Sequence, residues 1–218
     1  MNGATHFFTG YLIARALNNE NDRFESFFLG FAALIPDFDV AIGFFVPTFQ
    51  HAVVSHTILG GLLFAMVFLL GSYALLHGFV KDMQIPFTRL LALTLIGLTS
   101  HLILDIFTFQ VDCATTMAHL YFWPVWNQSF HMNCLWSGVT YLERTLVEVI
   151  YSGFLVVVIL VYDWGMKKHN PFLMFAPHHW WAYKSAQITR EKVPKSTYMF
   201  LGIFLVIVAF SIIDYIPG

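Results

Sequence analysis

The chain has 218 residues, 58% of them hydrophobic and only 11% charged, with a mean hydropathy of +0.68 and a formal charge of −2. A soluble domain of this size carries about a quarter charged residues, so composition excludes a soluble globular enzyme and leaves nucleic acid out of the expected partners. The expected class is an all-α, polytopic helical membrane protein, built as a single integral membrane domain over residues 1–218.

The first segment, MNGATHFFTGYLIARAL, has neither a basic leader nor a small-residue cleavage site, so no removable signal peptide is expected. Residues 4–17 and 24–35 are apolar, but each is shorter than the roughly 20 residues that cross a bilayer. The polar turn NNENDR between them predicts a short N-terminal helical hairpin. Pro36, Asp37 and Asp39 follow, then apolar chain to Phe49. Residues 57–80 and 89–111 are long enough to span. An outer loop over 112–140 precedes a slightly shorter apolar helix, 146–163. A basic loop and a last span, 198–217, complete the chain.

Lys and Arg collect in cytoplasmic loops. With the hairpin turn facing the cytoplasm, ten of the eleven basic residues, all but Arg144, fall inside. Six membrane helices result, with both chain ends outside. An alternative has five spans, with 4–17 on the cytoplasmic surface and 24–46 crossing as one broken helix. It strands His6 on the side opposite the other polar residues, so six is preferred.

In the six-helix arrangement the costly side chains share one depth. His6 begins the first helix, Asp37 and Asp39 follow the second, and His51 and His56 precede the third. His101 and Asp105 lie one turn apart on the fourth, and His119 lies in the loop beyond. A charge near the bilayer centre costs roughly 2.5–3.5 kcal/mol on insertion scales, so such residues persist when paired or facing a cavity. At i, i+4 His101 and Asp105 share a helix face. They can reach one divalent cation, with zinc, manganese or iron suited to imidazole and carboxylate. The plainer reading is a His–Asp hydrogen bond joining two helices; PDFD, HAVVSHT and His119 tip the balance towards metal.

Other polar residues carry less. Glu148, four residues after Arg144, reads as half of an intrahelical ion pair, and Glu143 as the start of that helix, although either glutamate has the chemistry to complete a second metal site. Asp214 reads as solvated, His131 as a minor candidate ligand, and His77 and His169 as incidental. HHWWAY at 178–183 and HLYFWPVW at 119–126 read as interfacial aromatic belts. Cys113 and Cys134 both lie in the outer loop, where a disulfide is permitted.

Taken in order, Thr5-His6, Pro36-Asp37-Phe38-Asp39, His51…Ser55-His56-Thr57, His101-x-x-x-Asp105 and His119-Leu-x-x-x-Pro124 resemble the LexA-regulated, membrane-bound metal-dependent hydrolase family. The resemblance covers residues 1–125; residues 126–218 supply the remaining outer loop, two helices and the basic cytoplasmic loop. The family's third block usually reads His-Arg-Gly-x-Thr-His-Ser. Here it is HAVVSHT, without the Arg-Gly pair and with the two hydroxyl residues exchanged. The order is also distantly similar to zinc-dependent phospholipases C, which implies phosphoester chemistry and candidate ligands His6, Asp37, His51 or His56, His101, Asp105 and His119.

The expected function is therefore a metal-dependent hydrolase of the inner membrane, its site facing the extracytoplasmic side, cleaving a phosphoester of a lipid or lipid-linked substrate by metal-activated water. His101, Asp105 and one of His51 or His56 are expected to hold a first metal. His6 and His119 would help hold a second, with Asp105 able to bridge the two. Asp37 or Asp39, whichever is not a ligand, is the expected general base. The rivals are a metal-ion or proton transporter and a membrane scaffold with a structural metal.

Overall fold

The computed structural model describes residues 3–17, 23–46, 54–79, 85–106, 122, 124–125 and 140–166. All the regular structure among them is helical: α1 (Gly3–Leu17), α2 (Arg23–Ala32), a 3-10 turn (Ile35–Asp37), α3 (Phe38–Phe45), α4 (Ile58–Phe79), α5 (Phe87–Ile106) and α6 (Tyr141–Leu160), which runs on into a π-helical turn, Val161–Met166. The expected last span, the basic loop with its HHWWAY run, His51, His119, His131, His169, Asp214 and both cysteines lie outside the described residues.

Among the described residues, three helices are long and apolar enough to cross a membrane, over Ile58–Gly78, Phe87–Ile106 and Leu146–Gly165. They coincide with three of the expected spans. Their outward faces are apolar: Leu59, Leu63, Val67 and Leu70 on α4 are exposed, as are Leu146, Ile150, Phe154 and Val157 on α6. Such faces suit hydrocarbon rather than water. The inward stripe of α6 is Glu148, Ser152, Leu155, Ile159 and Asp163, spaced three or four apart as one helix face requires. Thr140 caps this helix reciprocally with Glu143, whose side chain accepts from the Thr140 backbone N–H at 2.8 Å. The expectation that Glu143 begins the helix holds.

The N-terminal hairpin is present. α1 packs against α2, α5 and α6, so it is a member of the bundle rather than a helix lying apart on a surface. Gly10 makes the hairpin crossing tight: a Cβ there would stand 2.8 Å from the Leu29 carbonyl and 3.1 Å from Gly30 Cα. Small residues let helix backbones approach in this way. Around the crossing, Phe7 meets Phe27 and Phe31 edge-on at 5.5 and 5.4 Å between ring centres. A second cluster, with Phe28, Leu29, Leu69, Leu90 and Leu93, fills the space between α2, α4 and α5.

Two ion pairs tie the helices at the opposite end from His6. Arg15 of α1 donates to Asp163 through Nε at 2.9 Å and Nη2 at 2.5 Å, and Tyr11 donates to the same carboxylate at 3.2 Å. Arg89 of α5 grips the buried Glu25 of α2 through two hydrogen bonds, 2.7 and 2.6 Å long, the fork geometry that makes Arg–carboxylate pairs strong. These clamps fix the depth of α1, α2, α5 and α6 relative to one another, and with it the level at which their far ends meet.

Candidate metal centre

Those far ends bring five of the expected ligands together. His6 comes from the first turn of α1, Asp37 from the 3-10 turn after α2, His56 from the turn before α4, and His101 and Asp105 from the last two turns of α5. Within this set His6, Asp37 and His101 form one group whose ligand atoms lie within 4.8 Å of one another, and His56, His101 and Asp105 form another. His6, His56, His101 and Asp105 are each at most 3% exposed.

Local sequence explains each placement. Pro36 has no N–H and cannot continue α2; the chain tightens into a 3-10 turn in which Asp37 N–H bonds Leu34 O at 3.0 Å. The Ala33 carbonyl, at the end of the helix ladder, is left to accept from His101 Nδ1 at 2.7 Å. That bond requires α2 and α5 to be nearly in contact. Gly97, one turn before His101, permits it, since a Cβ there would stand 2.6 Å from Ala32 Cβ and 2.8 Å from Ala33 N. On the other side, Thr57 caps α4 by accepting from Gly60 N–H at 2.9 Å. Ser55 donates to Asp39 through a short hydrogen bond, and its oxygen accepts from His56 Nδ1 at 2.9 Å. The two exchanged hydroxyls of the third block thus serve as a relay and a cap, tasks that either Ser or Thr can perform.

These outer bonds set the tautomers. A carbonyl only accepts, so His101 carries its proton on Nδ1. The Ser55 hydroxyl spends its proton on Asp39, so His56 likewise donates from Nδ1. Both Nε2 atoms then present lone pairs, and they face each other at 3.1 Å. Two carboxylate oxygens close the group. Asp105 Oδ2 lies 3.0 Å from His101 Nε2 and 3.2 Å from His56 Nε2; Asp37 Oδ1 lies 3.7 and 3.4 Å from the same two atoms. Two lone pairs and two carboxylates repel one another unless positive charge sits between them. Zinc with ligands at about 2.0–2.1 Å holds tetrahedral ligand atoms about 3.3–3.4 Å apart, and the five spacings here bracket that edge.

A proton on His56 meets the same requirement. Burial would depress His56, but Asp105 and Asp37 beside its ring raise it to about 10. Burial would likewise raise Asp37, yet His101 and His56 hold it below the usual carboxylate range. Both shifts favour positive charge on His56 beside an ionised Asp37.

The structure separates Asp37 from Asp39, which the sequence left interchangeable. Asp37 faces the Nε2 atoms, whereas fully buried Asp39 stands behind His56, 3.7 Å from its Nδ1 and bonded by Ser55. Three contributors were not singled out as functional from sequence: the Ser55 hydroxyl, the Ala33 carbonyl and the vacancy of Gly97. Only Ser55, beside a candidate histidine, left a readable signal. Glu148 is buried on the α6 face whose Ser152 bonds Thr5 at 2.7 Å, next to His6.

The arrangement has the imidazole and carboxylate donors that could hold a divalent cation, each histidine oriented from behind as metal-bound histidines are. No curated protein and no solved structure matches the chain, so the likeness to phospholipases C finds no support there. A family match is found, and it runs over residues 1–215, nearly the whole chain. The apolar spans are in keeping with this match, and it gives the assignment: the chain belongs to the YdjM inner membrane protein family.

Proposed function

We propose that this protein is a metal-dependent hydrolase that cleaves a phosphoester of a membrane lipid at the extracytoplasmic face. The observation that carries the reading is the pair of facing Nε2 atoms and two carboxylate oxygens at zinc-like spacing. His56, His101, Asp37 and Asp105 would hold the ion; Asp39, through Ser55, would keep His56 oriented. A divalent ion there supplies a bound water with a pKa near 7 and a Lewis acid for the phosphoryl oxygen. Asp37, the more open carboxylate of the group at 18% side-chain exposure and the farther from the two nitrogens at 3.4 and 3.7 Å, would be the ligand that yields a position to that water.

A lipid substrate is supported by an apolar groove of about 400 Å³ between α4 and α5, lined by Ile58, Leu62, Leu98, Leu102 and Ile106 and bordered by Phe122. It begins two residues from His56 and within one turn of His101 and Asp105. A hydrocarbon chain seated there would bring its head group to the ion. The six-span topology, with the site outside, belongs to the same reading.

The purified protein, assayed on phospholipid in mixed micelles, is expected to release phosphorylated head group or phosphate, to lose that activity to a chelator and to regain it with zinc. His101→Ala should abolish it. Turnover that survives both treatments, or no turnover over a range of phospholipids, contradicts the reading. Four protein atoms around one ion also describe a closed structural site; in that case chelation lowers the unfolding temperature and no substrate is consumed. A transport pathway has less support. Inward of the centre lie Leu69, Leu90 and Leu93, and the polar groups at the far end, Arg15 with Asp163 and Arg89 with Glu25, neutralise one another.

A further inference from the structure

His6 is left over from the four-atom site. It is fully buried and stacked on His101 with ring centres 3.7 Å apart, and neither of its nitrogens has a hydrogen-bond partner among the described residues. Its Nε2 nevertheless lies 3.2 Å from Asp105, and the atom it approaches is Oδ1, whereas the first site uses Oδ2. One carboxylate therefore faces imidazole nitrogens on both sides. Asp37 also has a spare buried oxygen: Oδ1 faces His56 and His101, while Oδ2 has no hydrogen-bond partner among the described residues. Buried imidazoles and carboxylate oxygens are rarely left unsatisfied. A nitrogen and an oxygen 3.2 Å apart have the spacing of two ligands on one ion.

We infer that the centre is binuclear: a second divalent cation binds between His6 Nε2 and Asp105 Oδ1, with Asp37 Oδ2 as the remaining protein donor and Asp105 bridging the two ions. The inference rests on the proposed metal-dependent reading but goes beyond it, since a single ion satisfies the first site alone. With fewer protein ligands than the first, the second position is the weaker and the more open to substrate. Ions in two-metal sites stand about 3.5–4 Å apart, close enough for paired manganese ions to couple magnetically.

The test uses the full-length protein in detergent, stripped with chelator, reloaded with zinc or manganese alone and freed of excess ion. Wild type is expected to hold two ions per chain and, with manganese, to show the spin-coupled signal of a pair. His6→Ala should hold one ion and give an uncoupled signal. A single ion in the wild type overturns the second site and leaves the mononuclear reading standing; no ion in folded wild type overturns both. Two ions retained in His6→Ala also overturn the assignment. His6→Gln provides a milder variant, and the wild-type count decides even if neither substituted chain folds.

Discussion

At the residue scale the proposed centre depends on groups that would not touch an ion. Ser55 is one. Its hydroxyl connects Asp39 to His56 Nδ1, and supporting bonds of this kind are worth about 10–100-fold in metal affinity. Ser55→Ala is therefore expected to weaken zinc binding by that factor while the helices persist, as measured by competition with a zinc-binding dye and by circular dichroism. Unchanged affinity would show that the relay is unimportant. The proton on His56 gives a second expectation. Because its pKa is raised to about 10 in the metal-free chain, an arriving ion displaces a proton through the neutral range. Affinity should rise with pH, about tenfold per unit while one proton is released. Calorimetry in buffers of different ionisation enthalpy would count that proton; a count of zero between pH 6 and 8 contradicts the site as described.

At the element scale the helix contact that matters most is α2 on α5. His101 reaches the Ala33 carbonyl only because Gly97 brings no Cβ into a gap of 2.6 Å. Gly97→Ala should force the helices apart. The expected cost is about 1–3 kcal/mol, typical of overpacking, with weaker metal binding because His101 loses its orienting bond. Thermal unfolding in detergent and zinc titration measure the two effects; an unaltered zinc affinity would separate Gly97 from the site. The contrast with His101 and Asp105 explains what was readable in the sequence. Their i, i+4 spacing in an apolar run announces itself, as do Pro36-Asp37 and the histidine beside Ser55. The roles of Gly97 and Ala33 depend on how closely two helices approach, and no periodicity encodes that distance. The division of labour between Asp37 and Asp39 turns on the direction of a 3-10 turn, which is equally invisible in a four-residue motif. The short N-terminal hairpin was legible because two apolar runs flank a polar turn.

At the scale of the whole molecule, the bundle places His6, Asp37, His56, His101 and Asp105 at one end and two Arg–carboxylate clamps at the other. Orientation in the membrane then decides which compartment the centre serves. In a background with Cys113 and Cys134 changed to Ser, Val125→Cys, exposed beyond the site end, should react with an impermeant maleimide in intact spheroplasts. Leu17→Cys, exposed at the clamp end, should react only after permeabilisation. The reverse pattern would put the centre on the cytoplasmic side.

That His56, His101, Asp37 and Asp105 share a cation is tested most directly by anomalous diffraction at the zinc edge, from crystals of the full-length protein loaded with zinc. The expected result is an anomalous peak about 2.0–2.1 Å from His56 Nε2 and His101 Nε2, in contact with Asp37 and Asp105. A well-ordered chain with no peak among these residues, or with zinc held elsewhere, would contradict it.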